Sequence, residues 1–150
     1  MAFAGKSGAV ASVEVVVAPN GSTRLRSVVL DCPDANALAA FYKELLDGTT
    51  GTEWVFSSPS WAQVRLPGTS VMLAFQTVTD YVAPQWPDGQ PQQVHLDLDV
   101  DDLRAASARA VSLGAKVLSE PVEEDNCTFI VHQDPVGHTF CLCQLKTGAC

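Results

Sequence analysis

Shifted against itself by 68 positions, the chain lays Ser27 on His95 and Asp34 on Asp102. The same shift matches Leu30 with Leu98, Asp31 with Asp99, Ala37 with Ala105, Ala40 with Ala108 and Leu45 with Leu113. Alanine identities come cheaply in helices, so the shared order of elements carries more weight than the matches themselves. Each half opens with a strand, Arg26–Asp31 in the first and Val94–Val100 in the second. Each strand runs into an acidic N-cap, Asp34 after Pro33 in one case and Asp101 or Asp102 in the other. A helix follows. Leu38, Phe41, Tyr42, Leu45 and Leu46 form an i, i+3, i+4, i+7, i+8 stripe stopped by Gly48, and Leu103, Ala106, Ala110 and Leu113 form a narrower one stopped by Gly114.

Short strands close each half: Glu53–Ser57, Trp61–Leu66 and Ser70–Val78, then Val117–Glu120, Cys127–His132 and Thr139–Leu145. Turn residues punctuate them at Ser58-Pro59-Ser60, Pro67-Gly68-Thr69 and Asp134-Pro135-Val136-Gly137. Each half therefore reads βαβββ. One such unit has too little core to stand alone. Two can pair their sheets into one curved mixed sheet, with helices on the outer face and a concave face for a ligand. The class is α+β.

Strand parity assigns the faces. In His95-Leu96-Asp97-Leu98-Asp99-Val100 the alternation is strict, one side apolar and the other carrying an imidazole and two carboxylates. Val28, Leu30, Leu96, Leu98, Val100, Phe140 and Leu142 fall under the helices. Ser27, Val29, Asp31, His95, Asp97, Asp99, Cys141 and Cys143 fall on the concave side.

Composition narrows the partners. A chain of 150 residues with 47% hydrophobic and 17% charged residues reads as one globular domain. Its net charge of −8 argues against nucleic acid and anionic membranes, both of which need a cationic face. No apolar run reaches membrane-spanning length. Lys6 and Glu14 interrupt the Ala/Val-rich start, which does not read as a signal peptide. Residues 1–24 form an N-terminal extension in which Ser12–Val17 could add a strand before the turn Pro19-Asn20-Gly21-Ser22. The domain proper spans 25–145, with modules at 25–82 and 93–145, and residues 146–150 are a tail. Cys32, Cys127, Cys141, Cys143 and Cys150 are odd in number and show no C-x-x-C spacing, which points to free thiols and a cytoplasmic setting.

Several motifs, in order, resemble the glyoxalase-like group of the vicinal oxygen chelate superfamily. They are Leu30-Asp31-Cys32-Pro33-Asp34, Phe41-Tyr42 with Leu45-Leu46, and Leu73-Ala74-Phe75-Gln76. The Trp86-Pro87 loop leading into His95–Leu103 and the closing Asp134-Pro135-Val136-Gly137-His138-Thr139-Phe140 complete the set, which runs from about Leu25 to Leu145. The resemblance implies the glyoxalase/bleomycin-resistance/dioxygenase fold, a small-molecule cavity and a homodimer. It implies no single reaction, since the fold hosts lyases, isomerases, dioxygenases and metal-free sequestering proteins.

The resemblance also implies four positions at which enzymes of the superfamily hold a divalent metal. Here they carry Ser27, then Gln76 or Ala74, then His95, then Cys141. A hydroxyl, an amide, one imidazole and a thiol that must ionise make a poor donor set, so no catalytic metal is expected. An alternative divalent site could draw on His95 and Asp97, two apart on one face, together with Asp31. The expected ligand site centres on His95 as hydrogen-bonding group or general base. Gln76 would fix orientation, Trp86 and Trp54 would supply walls, and Ser27, Asp97 and Cys141 would complete the lining. His132 and His138 read as turn and surface histidines. The expected function is small-molecule binding without a catalytic metal. The alternatives are a metal-dependent lyase or dioxygenase, and a resistance protein that sequesters a compound without turnover.

Overall fold

The computed structural model describes residues 24–46, 53–66 and 68–146, with backbone only over 53–56. The expected N-terminal strand and its turn, the Gly48 helix stop and the tail beyond residue 146 lie outside the described residues. Module one runs β1 (Ser27–Cys32), α1 (Ala35–Leu46), β2 (Glu53–Ser58), β3 (Trp61–Arg65) and β4 (Met72–Thr77). Module two runs β5 (Leu96–Asp99), α2 (Leu103–Ser112), β6 (Lys116–Val117), β7 (Val122–Glu123), β8 (Cys127–Gln133) and β9 (Thr139–Leu145).

The repeat is carried by the caps and the topology together. Asp34 Oδ1 accepts from the N–H groups of Asn36 and Ala37, and Asp102 Oδ1 accepts from Ala105, so equivalent carboxylates start equivalent helices. Gly114, at φ +111°, ends α2. There Ala115 N–H reaches the Ala110 carbonyl and Gly114 N–H reaches Val111, the paired bonds of a Schellman stop. In module one β1 lies parallel to β4 in the order β1-β4-β3-β2. In module two β5 lies parallel to β9 in the order β5-β9-β8-β6, with β7 also on β8.

One expectation is corrected. The single strand expected over Val117–Glu120 is instead the pair β6 and β7. Pro121 has no N–H for the ladder, and Ser119 turns its hydroxyl to accept from Val131 N–H, so the strand breaks between them. The α+β fold of two paired modules is as expected, its strands forming two mixed sheets with no ladder between β1 and β5 among the described residues. Side chains join the modules in place of backbone. One core cluster contains Leu30, Leu38, Tyr42 and Phe75 from module one and Ile130, Phe140 and Leu142 from module two. The two modules therefore pack against each other within one chain. Tyr42 stacks on Phe75 at 5.5 Å between ring centroids and meets Phe140 edge-on at 6.4 Å. Burying each such ring contributes about 1.5–3 kcal/mol, and module two lacks that apolar surface without module one.

Parity holds where it matters. Leu30 is buried between exposed Val29 and Asp31, and along β5 half-buried Leu96 and Leu98 alternate with exposed Asp97 and Asp99. The expected strand starting at Val94 begins at Leu96, which leaves His95 just before the ladder.

Candidate functional site

The seam between modules is held by a buried carboxylate. Asp134, 2% exposed, follows β8 and folds the turn into β9. Its Oδ1 accepts from the N–H groups of Val136, Gly137 and His138 at 3.0, 2.8 and 2.9 Å. Its Oδ2 accepts from the fully buried Tyr42 hydroxyl on α1 at 3.0 Å. Burial pushes this carboxyl above the usual range, while the His138 charge and the donated hydrogen bonds pull it back. Gly137 is required at the turn: its φ is +111°, and a Cβ there would lie 2.6 Å from Ala83 Cβ.

This turn carries His138 from module two onto β1 of module one. His138 Nε2 lies 2.7 Å from the Asp31 carbonyl oxygen and 3.3 Å from the Tyr81 hydroxyl. Around this contact opens a cleft of about 350 Å³. Its apolar lining includes Val29, Val82, Pro84 and Val94, and its polar lining includes Asp31, Asp80, Tyr81 and His138. Val29, Val82 and Val94 are 41%, 68% and 49% exposed, a local grouping of apolar surface beside a few polar groups. Burial pushes the Tyr81 phenol up to about 12, with the Asp134 charge adding to it, so it remains a protonated donor. A second crevice of about 290 Å³ lies on the helix side, where Leu45, Leu98, Val100, Ala106 and Leu142 form an apolar floor beside Arg109. The Arg109 guanidinium donates to the Glu44 carbonyl near the end of α1.

The site residues expected from sequence fall into separate groups. His95, Asp97 and Cys141 gather on module two: His95 Nε2 is 3.6 Å from Asp97 Oδ1, and Asp97 pairs in register with Cys141. Gln76, exposed, pairs with Asp31 at one end of β1, while half-buried Ser27 pairs with Met72 at the other. Trp86 is half-buried in the inter-module loop and is not among the residues lining the cleft; Tyr81, Val82 and Pro84 of that loop form the wall. Trp54 lies on β2 opposite Val64, and its side chain is outside the described residues. His95 itself does not line the cleft, although Gln93 and Val94 directly before it do.

The two histidines set aside from sequence behave differently from each other. His132 is fully buried, with Nδ1 at 3.0 Å from the Ile130 carbonyl and Nε2 at 2.8 Å from the Ser107 hydroxyl. Burial lowers its basicity, and it serves as a satisfied core group. His138 is the cleft residue that sequence reasoning missed. The visible signal was its place after Asp134-Pro135-Val136-Gly137, but nothing local shows that this turn lands on Asp31, 107 residues earlier.

The donor set at the four superfamily positions does not fit a resident metal. Ser27 and Gln76 stand four residues apart along one β1–β4 ladder, roughly 13 Å at about 3.3 Å per residue, too far to share an ion. Ala74, the other candidate for the second position, offers no donor and faces Val29 in register. Burial pushes the Cys141 thiol up to about 12, with Asp97 adding to the shift, which disfavours the thiolate a metal requires. Among the described residues no three His, Cys, Asp or Glu side chains group in a way that could hold a metal ion.

Each module opens with a strand and a helix and closes with further strands, and the two form two mixed sheets in an α+β fold. A family model for the glyoxalase-like domain matches residues 27–143, and the chain belongs to that family. It is similar to a glyoxalase/bleomycin resistance protein/dioxygenase family enzyme from Burkholderia phytofirmans PsJN, at TM-score 0.65 and 18% identity over 83% of this chain and 100% of that one. It is similar to TnmS3, an antibiotic-binding protein from Streptomyces sp. CB03234, at 0.58 and 22% over 85% and 99% of the two chains. A lactoylglutathione lyase from Agrobacterium tumefaciens follows at 0.55 and 17%, over 83% and 96%. Identities this low speak for the fold alone. No curated protein matches the chain.

Proposed function

We propose that this glyoxalase-like protein binds a small, partly apolar molecule non-covalently in the seam cleft, without a resident catalytic metal. The observation that carries the reading is the cleft itself: about 350 Å³, apolar on Val29, Val82 and Val94, polar on Tyr81 and His138, and built across two modules. Pockets that hold small molecules combine apolar walls with a few fixed polar groups in this way. The likeness to an antibiotic-binding protein supports the reading at the level of fold. The mismatched donor set supports the absence of metal chemistry. Sequestration without turnover is the form that needs no group beyond those present.

The test is a library of small aromatic and alicyclic compounds screened by amide NMR on the full chain. Binders should shift the amides of Val29, Tyr81, Val82 and Val94; binders that shift only distant amides refute the site. His95→Ala in the same titration decides whether the ligand extends past Val94 onto β5, in which case affinity falls by about 1–3 kcal/mol through a lost polar partner. The reading includes a cytoplasmic setting, which four free cysteines among the described residues support, and a homodimer, which light scattering tests.

A further inference from the structure

The contact between His138 and Asp31 dictates a tautomer. A backbone carbonyl only accepts, so at 2.7 Å the His138 Nε2 must carry the proton and donate it. A protonated Nε2 cannot accept from the Tyr81 hydroxyl 3.3 Å away. Tyr81 Oη therefore meets His138 as an acceptor, and its own proton remains to be donated. Both residues line the cleft. No Lys or Arg lines it among the described residues, while the acidic residues Asp31 and Asp80 do.

Resting on the binding reading above, we infer that Tyr81 reads the ligand: oriented by His138, its O–H donates to an uncharged oxygen, and Asp31 and Asp80 exclude anions. The ligand class is an apolar molecule bearing a carbonyl-type oxygen and no negative charge. The raised ionisation of Tyr81 keeps that proton in place across the physiological range. An acid chain of net charge −8 adds long-range repulsion of the same sign.

Three matched probes test this on the full chain at pH 8: acetophenone, which offers a carbonyl; ethylbenzene, which does not; and benzoate, which is anionic. Each is titrated while the amides of Val29, Val82 and Val94 are followed. Wild type should bind acetophenone more tightly than ethylbenzene. Tyr81→Phe should weaken acetophenone roughly 2- to 10-fold, the range of one neutral hydrogen bond, and leave ethylbenzene unchanged. Benzoate should bind at least roughly tenfold more weakly than acetophenone, and Asp31→Asn, which keeps the backbone carbonyl, should narrow that gap. A Tyr81→Phe protein with unaltered acetophenone affinity, or benzoate binding as tightly as acetophenone, overturns the inference while leaving a binding cleft. If none of the probes moves these amides, the binding reading falls, and this inference with it. Nitrogen shifts of the wild-type His138 ring give an arm independent of any variant's folding. A protonated Nε2 is expected, and an unprotonated Nε2 overturns the assignment.

Discussion

Replacing Tyr42 by Phe removes one hydroxyl from the middle of the protein and nothing else. The ring stays, so its packing on Phe75 and Phe140 survives and no cavity forms. What is lost is the hydrogen bond to Asp134 Oδ2 at 3.0 Å, between a fully buried donor and a carboxylate 2% exposed. Oδ1 keeps its three backbone donors, so the turn itself persists. A hydrogen bond to a charged group contributes about 1.5–3 kcal/mol, and a buried acceptor left without a donor sits at the upper end of that range. The expected cost is about 2–3 kcal/mol. At roughly 2–4 °C per kcal/mol for a chain of this size, the thermal midpoint should fall by roughly 5–10 °C. Urea unfolding followed by circular dichroism measures it, with Asp134→Asn as the second corner of a double-mutant cycle. In the Asp134→Asn background the bond is neutral, and Tyr42→Phe should cost only about 1 kcal/mol. Equal costs in both backgrounds, or a midpoint within about 1 °C of wild type, would show that the modules are not tied through this pair.

Burial raises the Asp134 carboxyl above its ordinary 3.8 in the folded state. Its contribution to stability is thus fully present below the unfolded value and is lost as pH rises through the folded one, so the stability of Asp134→Asn relative to wild type should rise over that window in pH-dependent urea melts. Gly137→Ala forces a side chain onto φ +111° and against Ala83, and should cost about 1–3 kcal/mol while shifting the Tyr81 amide; an unperturbed spectrum would contradict the close approach. Elemental analysis of the purified chain should find no stoichiometric divalent ion, and chelator should leave the thermal midpoint unchanged; a tightly held ion lost together with stability would restore the lyase or dioxygenase reading. Cys143, pushed from an ordinary 9.0 up to about 11 by burial and then by Asp97, should be alkylated at pH 8 roughly a hundredfold more slowly than an ordinary thiol, as mass spectrometry of timed quenches can show.

The parts of the fold legible in the sequence are those whose cause is local. Asp34 and Asp102 cap helices through N–H groups two or three residues away, and alternation sets the faces of β1 and β5 without reference to any partner. Both are written in short windows, and repetition at 68 positions doubled their weight. Where the reading slipped, the cause was pairing. His95 belongs to the alternating run, yet the ladder with β9 begins only at Leu96. Gln76 and Ser27 share the expected lining, yet the parallel register sets Gln76 against Asp31, at the far end of β1 from Ser27. The cleft was least legible, because its polar centre joins Asp31, Tyr81 and His138, which are remote in sequence and meet through a turn on a buried carboxylate.

That arrangement explains why the cleft lies at the seam and not within either module. β1 and β5 each pair on one side only among the described residues, so each leaves a row of backbone groups that water, protein or ligand must satisfy. On the helix side a crevice between the end of α1, β5 and α2 is floored by leucines, and Arg109 takes up the Glu44 carbonyl of α1. On the other side the Asp31 carbonyl is taken up by His138, a side chain that fills less space than a paired strand would. The cleft opens beside this contact, lined by β1, the inter-module loop and His138. Side-chain joining by Tyr42–Asp134 and His138–Asp31 holds the modules together while leaving room for a molecule between them.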